Sequence, residues 1–116
     1  MITERKKAMI LLNASAGTGR AGLNTWAIIK KLAENGKALE VNTSGLRQMI
    51  HRTLPDEEVI RRFRELGGKY VTVGSDAHRW GDVGSGIEDG LQLLLKCGYT
   101  HFTVYEKRKP KLLPIL

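Results

Sequence analysis

The sequence predicts an α/β protein of order β-α-β-α-β-α-β with a four-stranded parallel sheet. Three observations carry this. Short apolar runs of strand length alternate with stretches whose apolar residues recur at helical spacing. Gly36, Gly67 and Gly98 each follow one of the helical stretches, where a left-handed residue ends a helix. The polar, glycine-rich material is concentrated in residues 13–22, 42–47 and 74–84, each after a strand-like run. Such alternation implies right-handed crossovers, with the loops after the strands collected on one edge, where ligands bind.

Each element has its own signal. Ala8-Met-Ile-Leu-Leu12 reads as a buried strand. A helix follows, capped by Asn24 or Thr25, with Ile28, Ile29, Leu32 and Ala33 on its apolar side, and Asn35-Gly36 ends it. Ala38-Leu-Glu-Val-Asn42 is the second strand and stops at Thr43-Ser44-Gly45. Pro55 suits a first helical turn, and Asp56, Glu57 and Glu58 complement the positive end of that helix. Val59, Ile60, Phe63 and Leu66 form its inner face, and Gly67-Gly68 stops it. Tyr70-Val-Thr-Val73 is the third strand. A third helix runs from Ser85 or Gly86 to Cys97, with Ile87, Leu91, Leu94 and Leu95 inward. Thr100-His-Phe-Thr-Val-Tyr105 is the last strand, and Lys107-Arg-Lys-Pro-Lys111 reads as a solvated exit before an apolar tail.

Composition bounds the function. The 116 residues predict one domain, shorter than the ~200 residues of a complete (β/α)8 barrel. One cysteine excludes an internal disulfide framework and fits a reducing compartment. No apolar run approaches the ~20 residues of a membrane span, and Met1-Ile-Thr-Glu-Arg-Lys-Lys lacks a secretory apolar core. The expectation is a soluble, cytoplasmic chain with no membrane partner. The net charge of +7 is uneven, with +5 in residues 1–37. A basic front attracts phosphates or nucleic acid, or serves solubility alone with Lys30 and Lys31 on the wet side of a helix. Aromatic residues at 6% argue against a nucleic-acid stacking surface.

The first loop, Asn13-Ala-Ser-Ala-Gly17-Thr-Gly19-Arg-Ala-Gly22, formally matches a dinucleotide fingerprint, with glycines for close approach of backbone to phosphate. It carries extra residues before Gly17, and Glu40, the nearest acid at suitable distance, sits mid-strand. Leu23 and Asn24 stand where a Walker loop needs Lys and Ser or Thr. Residues 9–20 and the following helix resemble the opening of diacylglycerol kinase-like lipid kinases, which run Asn-Pro-x-(Ser/Ala)-Gly-x-Gly. Here Ala14 replaces the proline, and the Gly-Gly-Asp-Gly-Thr signature of that family does not occur. The resemblance implies a phosphate-friendly loop at Asn13, Gly17 and Gly19. A turn that is glycine-rich for steric reasons alone is the competing reading.

The third loop holds the sharpest signal. Asp76 and His78 are two residues apart after a strand, and in an extended chain such positions share a face. A carboxylate and an imidazole so placed share one divalent ion such as Zn, Mn or Fe. Taken alone, the pair is also a common structural feature. Ala38-Leu-Glu-Val-Asn-Thr-Ser-Gly-Leu-Arg47 followed by Gly74-Ser-Asp-Ala-His78 resembles the C-terminal part of histidinol-phosphatases of the PHP superfamily. The likeness runs from residue 28 or 38 to Arg108-Lys-Pro110 and the leucine-rich end. It implies a distorted βα barrel that hydrolyses L-histidinol phosphate at a multinuclear metal site, of which this chain is fragment-like. Asp76 and His78 are implied metal ligands, and the turn with Ser44 and Arg47 an implied substrate pocket, Arg47 meeting phosphate through its guanidinium. The family's His-x-His pair is absent, and His51, His101 and Cys97 stand at unsuitable positions. Zinc catalysis needs at least three protein ligands.

The expectation is therefore a chimera. A lipid kinase-like βα unit (residues 1–37) precedes a histidinol-phosphatase-like βαβαβ segment (residues 38–116), without catalytic activity alone. The alternatives are a phosphate- or metal-binding module for a phosphate-containing small molecule, and a phosphatase completed by a partner chain. Uncovered sheet edges predict a homodimer.

Overall fold

The computed structural model describes residues 23–49 and 51–116. The expected first strand (residues 8–12) and the loop residues Asn13, Gly17 and Gly19 lie outside the described residues. The described elements run α1 (Leu23–Glu34), β1 (Ala38–Asn42), α2 (Glu57–Glu65), β2 (Tyr70–Gly74), α3 (Ile87–Lys96), β3 (His101–Glu106) and β4 (Lys109–Pro114). Short 3-10 turns at Ser44–Arg47 and Trp80–Asp82 follow β1 and β2.

The three described helices end in the same way. The N–H groups of Lys37, Gly68 and Tyr99 reach back to the carbonyls of Leu32, Phe63 and Leu94, while Gly36, Gly67 and Gly98 donate to Ala33, Arg64 and Leu95. This paired bonding satisfies the last helical carbonyls and requires a left-handed residue, which each glycine supplies with φ of +64°, +93° and +101°. Gly68 has a second constraint, because a Cβ there would lie 2.4 Å from the Phe63 ring. At the other end of α2, Asp56 is the cap, its carboxylate accepting from Val59 N–H at 3.4 Å. Pro55 therefore precedes the helix rather than opening its first turn. Asn24 and Thr25 lie inside α1, not ahead of it.

The core gathers around β1. Ile29 and Leu32 of α1, Leu39 and Val41 of β1, Val59, Ile60 and Phe63 of α2, and Val71, Leu94 and Tyr99 form one buried cluster. Period-two alternation gives β1 its division: Leu39 and Val41 share one face, Glu40 and Asn42 the other. Tyr99 donates its hydroxyl to the Gly68 carbonyl at 2.8 Å, so burial of this phenol leaves no unpaired donor.

The sheet departs from the expected four parallel strands. Strands β1 and β2 pair in parallel, Ala38 opposite Tyr70 through Asn42 opposite Gly74. Strand β3 instead pairs antiparallel with β4, His101 opposite Pro114. The physical reason is the turn between them. Lys107 and Arg108 adopt φ of +52° and +68°, the pattern of a two-residue hairpin whose twist matches the flanking strands. The basic run is thus a turn and an edge strand, not an exit. Near the end of β1, Asn42 and Leu54 exchange backbone hydrogen bonds at 2.9 and 3.0 Å. Among the described residues no helix is long and apolar enough to cross a membrane.

Candidate metal and phosphate site

Parallel pairing of β1 and β2 sends both following loops to the same end of the sheet. Thr43 locks them together. Its N–H donates to the Gly74 carbonyl at 2.8 Å, and its hydroxyl donates to the Ser85 carbonyl at 2.7 Å, just ahead of α3. Helix α3 approaches because Gly90 has no side chain. A Cβ there would meet Val73 at 2.8 Å and Thr43 at 3.0 Å.

Asn42 spans the two loops. Its Oδ1 accepts from Ser44 N–H at 2.8 Å and its Nδ2 donates to Asp76 Oδ2 at 3.3 Å. Arg47 makes the second bridge, with a terminal nitrogen donating to the Ser75 carbonyl at 3.0 Å and Nε 3.9 Å from Asp82. Inside the second loop, Ser75 Oγ accepts from Gly84 N–H at 3.2 Å. Of the residues read from sequence, the structure thus brings Ser44, Arg47 and Asp76 into one bonded cluster. Ser44 is buried at 5% exposure, with its N–H already used.

Asp76 and His78 do not sit on an extended strand as the sequence spacing suggested. Strand β2 ends at Gly74, and Asp76 adopts φ of +48°, a left-handed conformation that Asp tolerates better than most residues. The turn brings His78 Nδ1 to 3.1 Å from the Asp76 carbonyl oxygen. With the proton on Nδ1, that contact is a hydrogen bond and Nε2 keeps its lone pair, the arrangement a metal-binding imidazole needs. Both side chains are exposed. Among the described residues no group of three or more His, Cys, Asp or Glu side chains is placed to hold a metal.

Glu40 was missed as a member of this site. Its carboxylate lies against Gly74, 3.3 Å from where a Cβ would stand. Burial, and then the Asp76 charge, push its carboxyl above the ordinary range. The signal was present in the alternation of β1, which puts Glu40 on the same face as Asn42. A hollow of about 430 Å³ beside the start of α2 is lined by Asp56, Glu57, Glu58 and Asp89, with Arg52 among the other lining residues. Its four carboxylates outnumber the one arginine, a balance unfavourable to phosphate, and it includes none of Arg47, Asp76 and His78.

Known proteins resemble part of this chain in sequence or fold. The chain is 39% identical over 82 residues to a probable histidinol-phosphatase of Thermotoga maritima, a match covering 70% of this chain and 34% of that protein. A probable histidinol-phosphatase of Clostridium acetobutylicum is 28% identical over 86 residues, covering 72% of this chain and 32% of its own. That of Deinococcus radiodurans is 34% identical over 67 residues, 58% of this chain and 25% of its own. The matches thus span about a third or less of these relatives' length. No family model matches. In fold, the chain is similar to half of the histidinol phosphate phosphatase of Lactococcus lactis subsp. lactis, a structure complexed with zinc, L-histidinol and phosphate. The TM-score is 0.62, with 18% identity and 93% of this chain covered. Part of this α/β chain resembles the PHP-family histidinol-phosphatases.

Proposed function

We propose that this chain is a recombined derivative of a histidinol-phosphatase-like phosphoesterase. In this reading it keeps the metal- and phosphate-binding end of that site and does not hydrolyse phosphate esters alone. The observation that carries the reading is the bonded cluster of Asn42, Arg47, Ser75 and Asp76 at the strand ends, within the stretch that resembles those enzymes. Asp76 and His78 are the ligands of one divalent ion, Zn, Mn or Fe, held weakly by a single chain. Arg47 and Ser44 are the phosphate contacts at this edge. Asn13, Gly17 and Gly19 are the further phosphate contacts, supplied by a lipid kinase-like unit in front.

A divalent ion at such a site supplies Lewis acidity toward a phosphoryl oxygen and a more acidic bound water. The residues' own contributions are simpler. Asn42 holds the Asp76 carboxylate, the Asp76 carbonyl fixes the His78 ring, and Arg47 keeps the two loops in register. Two protein ligands fall short of the three that catalytic zinc needs, and groups acting as a unit lose nearly all activity when most are missing. Purified chain incubated with L-histidinol phosphate and Mn2+ or Zn2+ is expected to release no phosphate above background, like the double variant D76A/H78A. Metal-dependent release by the parent chain, lost in that variant, would overturn the reading and identify an enzyme whose remaining ligands come from elsewhere.

A further inference from the structure

We infer that the outer edge of β1 is a strand-docking site whose occupant is this chain's own segment Ala8–Leu12, added parallel to β1 on the side away from β2. Backbone alternation defines the edge. Thr43 N–H bonds across to the Gly74 carbonyl, whereas Asn42 bonds through both of its backbone groups to Leu54. Peptide groups along a strand point to alternate sides, so Leu39 and Val41 face β2 while Ala38, Glu40 and Asn42 face outward. Among the described residues β2 is the one strand paired with β1, and Leu54 meets the outward edge at Asn42 alone. Ala38 is nevertheless 4% exposed, and β1 is buried at four of its five residues. Buried N–H and C=O groups are nearly always paired, so Ala38 and Glu40 call for a neighbour on that side.

Handedness selects the segment that arrives there. Helix α1 joins β1 through residues 35–37, and α1 and α2 pack on each other and into one cluster with Leu39 and Val41. Both helices therefore cover the same face of the sheet. The crossover from β1 through α2 to β2 steps in one direction across that face. A right-handed crossover through α1 on the same face must step the same way, which puts its first strand beside β1 and opposite β2. The chain ahead of α1 supplies such a strand. Ala8-Met-Ile-Leu-Leu12 has the five residues of β1, and an unbroken apolar run suits a strand covered on both faces. Residues 13–22 join it to α1, a span that reaches ~33 Å when extended. The outer edge of β4 is closed to the same pairing. The bond from Ile115 N–H to the Thr100 carbonyl fixes the hairpin alternation, so Pro110, Leu112 and Pro114 turn their backbone outward, and the two prolines have no N–H to offer. Docking at β1 brings Asn13 to the end of the sheet that carries Asn42, Arg47 and Asp76.

The test is NMR spectroscopy on the full, isotopically labelled chain. The expected result is nuclear Overhauser contacts between backbone protons of residues 8–12 and those of Ala38 and Glu40, in the order of a parallel pair, with slow exchange of the Glu40 amide. I10P is expected to speed Glu40 exchange at least tenfold, while Val41, which faces β2, keeps more of its protection. Should I10P fail to fold, the contacts in the parent chain decide. Absence of contacts between residues 8–12 and β1 would overturn the inference, as would contacts of that segment with β4 instead. A sample mixing labelled and unlabelled chains separates the two sources of the strand. Contacts seen only between unlike copies would overturn docking within one chain and show exchange with a second copy.

Discussion

Asn42 shows how one side chain ties sequence to site. It is 3% exposed and uses both ends of its amide, accepting from Ser44 N–H and donating to Asp76. That pairing also fixes its orientation, since a flipped amide would set an NH2 against the Ser44 N–H. Truncation in N42A leaves a buried N–H without its acceptor, a loss of about 1–3 kcal/mol. Chemical denaturation should show that loss, and Zn2+ titration should show weaker binding because nothing then holds Asp76. An N42A variant matching the parent in both would remove Asn42 from the site. At this scale the sequence was readable for residue type and not for conformation. Asp76 and His78 stood out by chemistry, yet the extended geometry expected for them gave way to a left-handed turn at Asp76. Glu40 was noted only as a mid-strand acid near the first loop, because its place in this site comes from Gly74 and Asp76, more than thirty residues away.

Among the elements, α2 has the strongest local signals and the clearest electrostatic link to a neighbour. Glu57, in its first turn, accepts from Arg61 at 2.8 Å and lies 3.1 Å from the Lys96 ammonium at the end of α3. Those two partners hold the Glu57 carboxyl below its ordinary value of 4.5. A depressed carboxylate contributes stability above the unfolded-state value and loses it as pH falls through the folded one. E57Q should therefore melt below the parent at neutral pH and match it once acid has protonated Glu57 in both states. The gap should also shrink in high salt, because the pairs are exposed. Thermal melts at neutral and acidic pH check this, and a gap independent of pH would refute it. Helix signals of this kind are local, so α1, α2, α3 and their glycine stops were legible. The hairpin was not, because Lys107-Arg108 occupies a turn where Asn-Gly is the usual mark.

Over the whole molecule, stability is concentrated where long-range packing is densest. Strand β1 is buried along most of its length, paired with β2 and sharing one buried cluster with α1 and α2. Strand β4 is mostly exposed and pairs only with β3 among the described strands. The alternation of strands and helices made the α/β class readable, whereas strand order depends on pairings between distant residues that no local pattern encodes. This uneven burial predicts an uneven response to opening. Local unfolding follows the number of buried apolar groups a segment would expose, and β4, exposed at all but Leu113, would expose few. Amide hydrogen exchange should therefore show the slowest protons at Leu39, Glu40 and Val41 and in α2 around Ile60 and Phe63. The amides of Lys111 and Leu113 in β4 should exchange well before them, as the hairpin opens without the rest. Equal protection of β4 and β1 would mean that the hairpin unfolds only with the whole chain, and that its outer edge is covered in solution by a further strand.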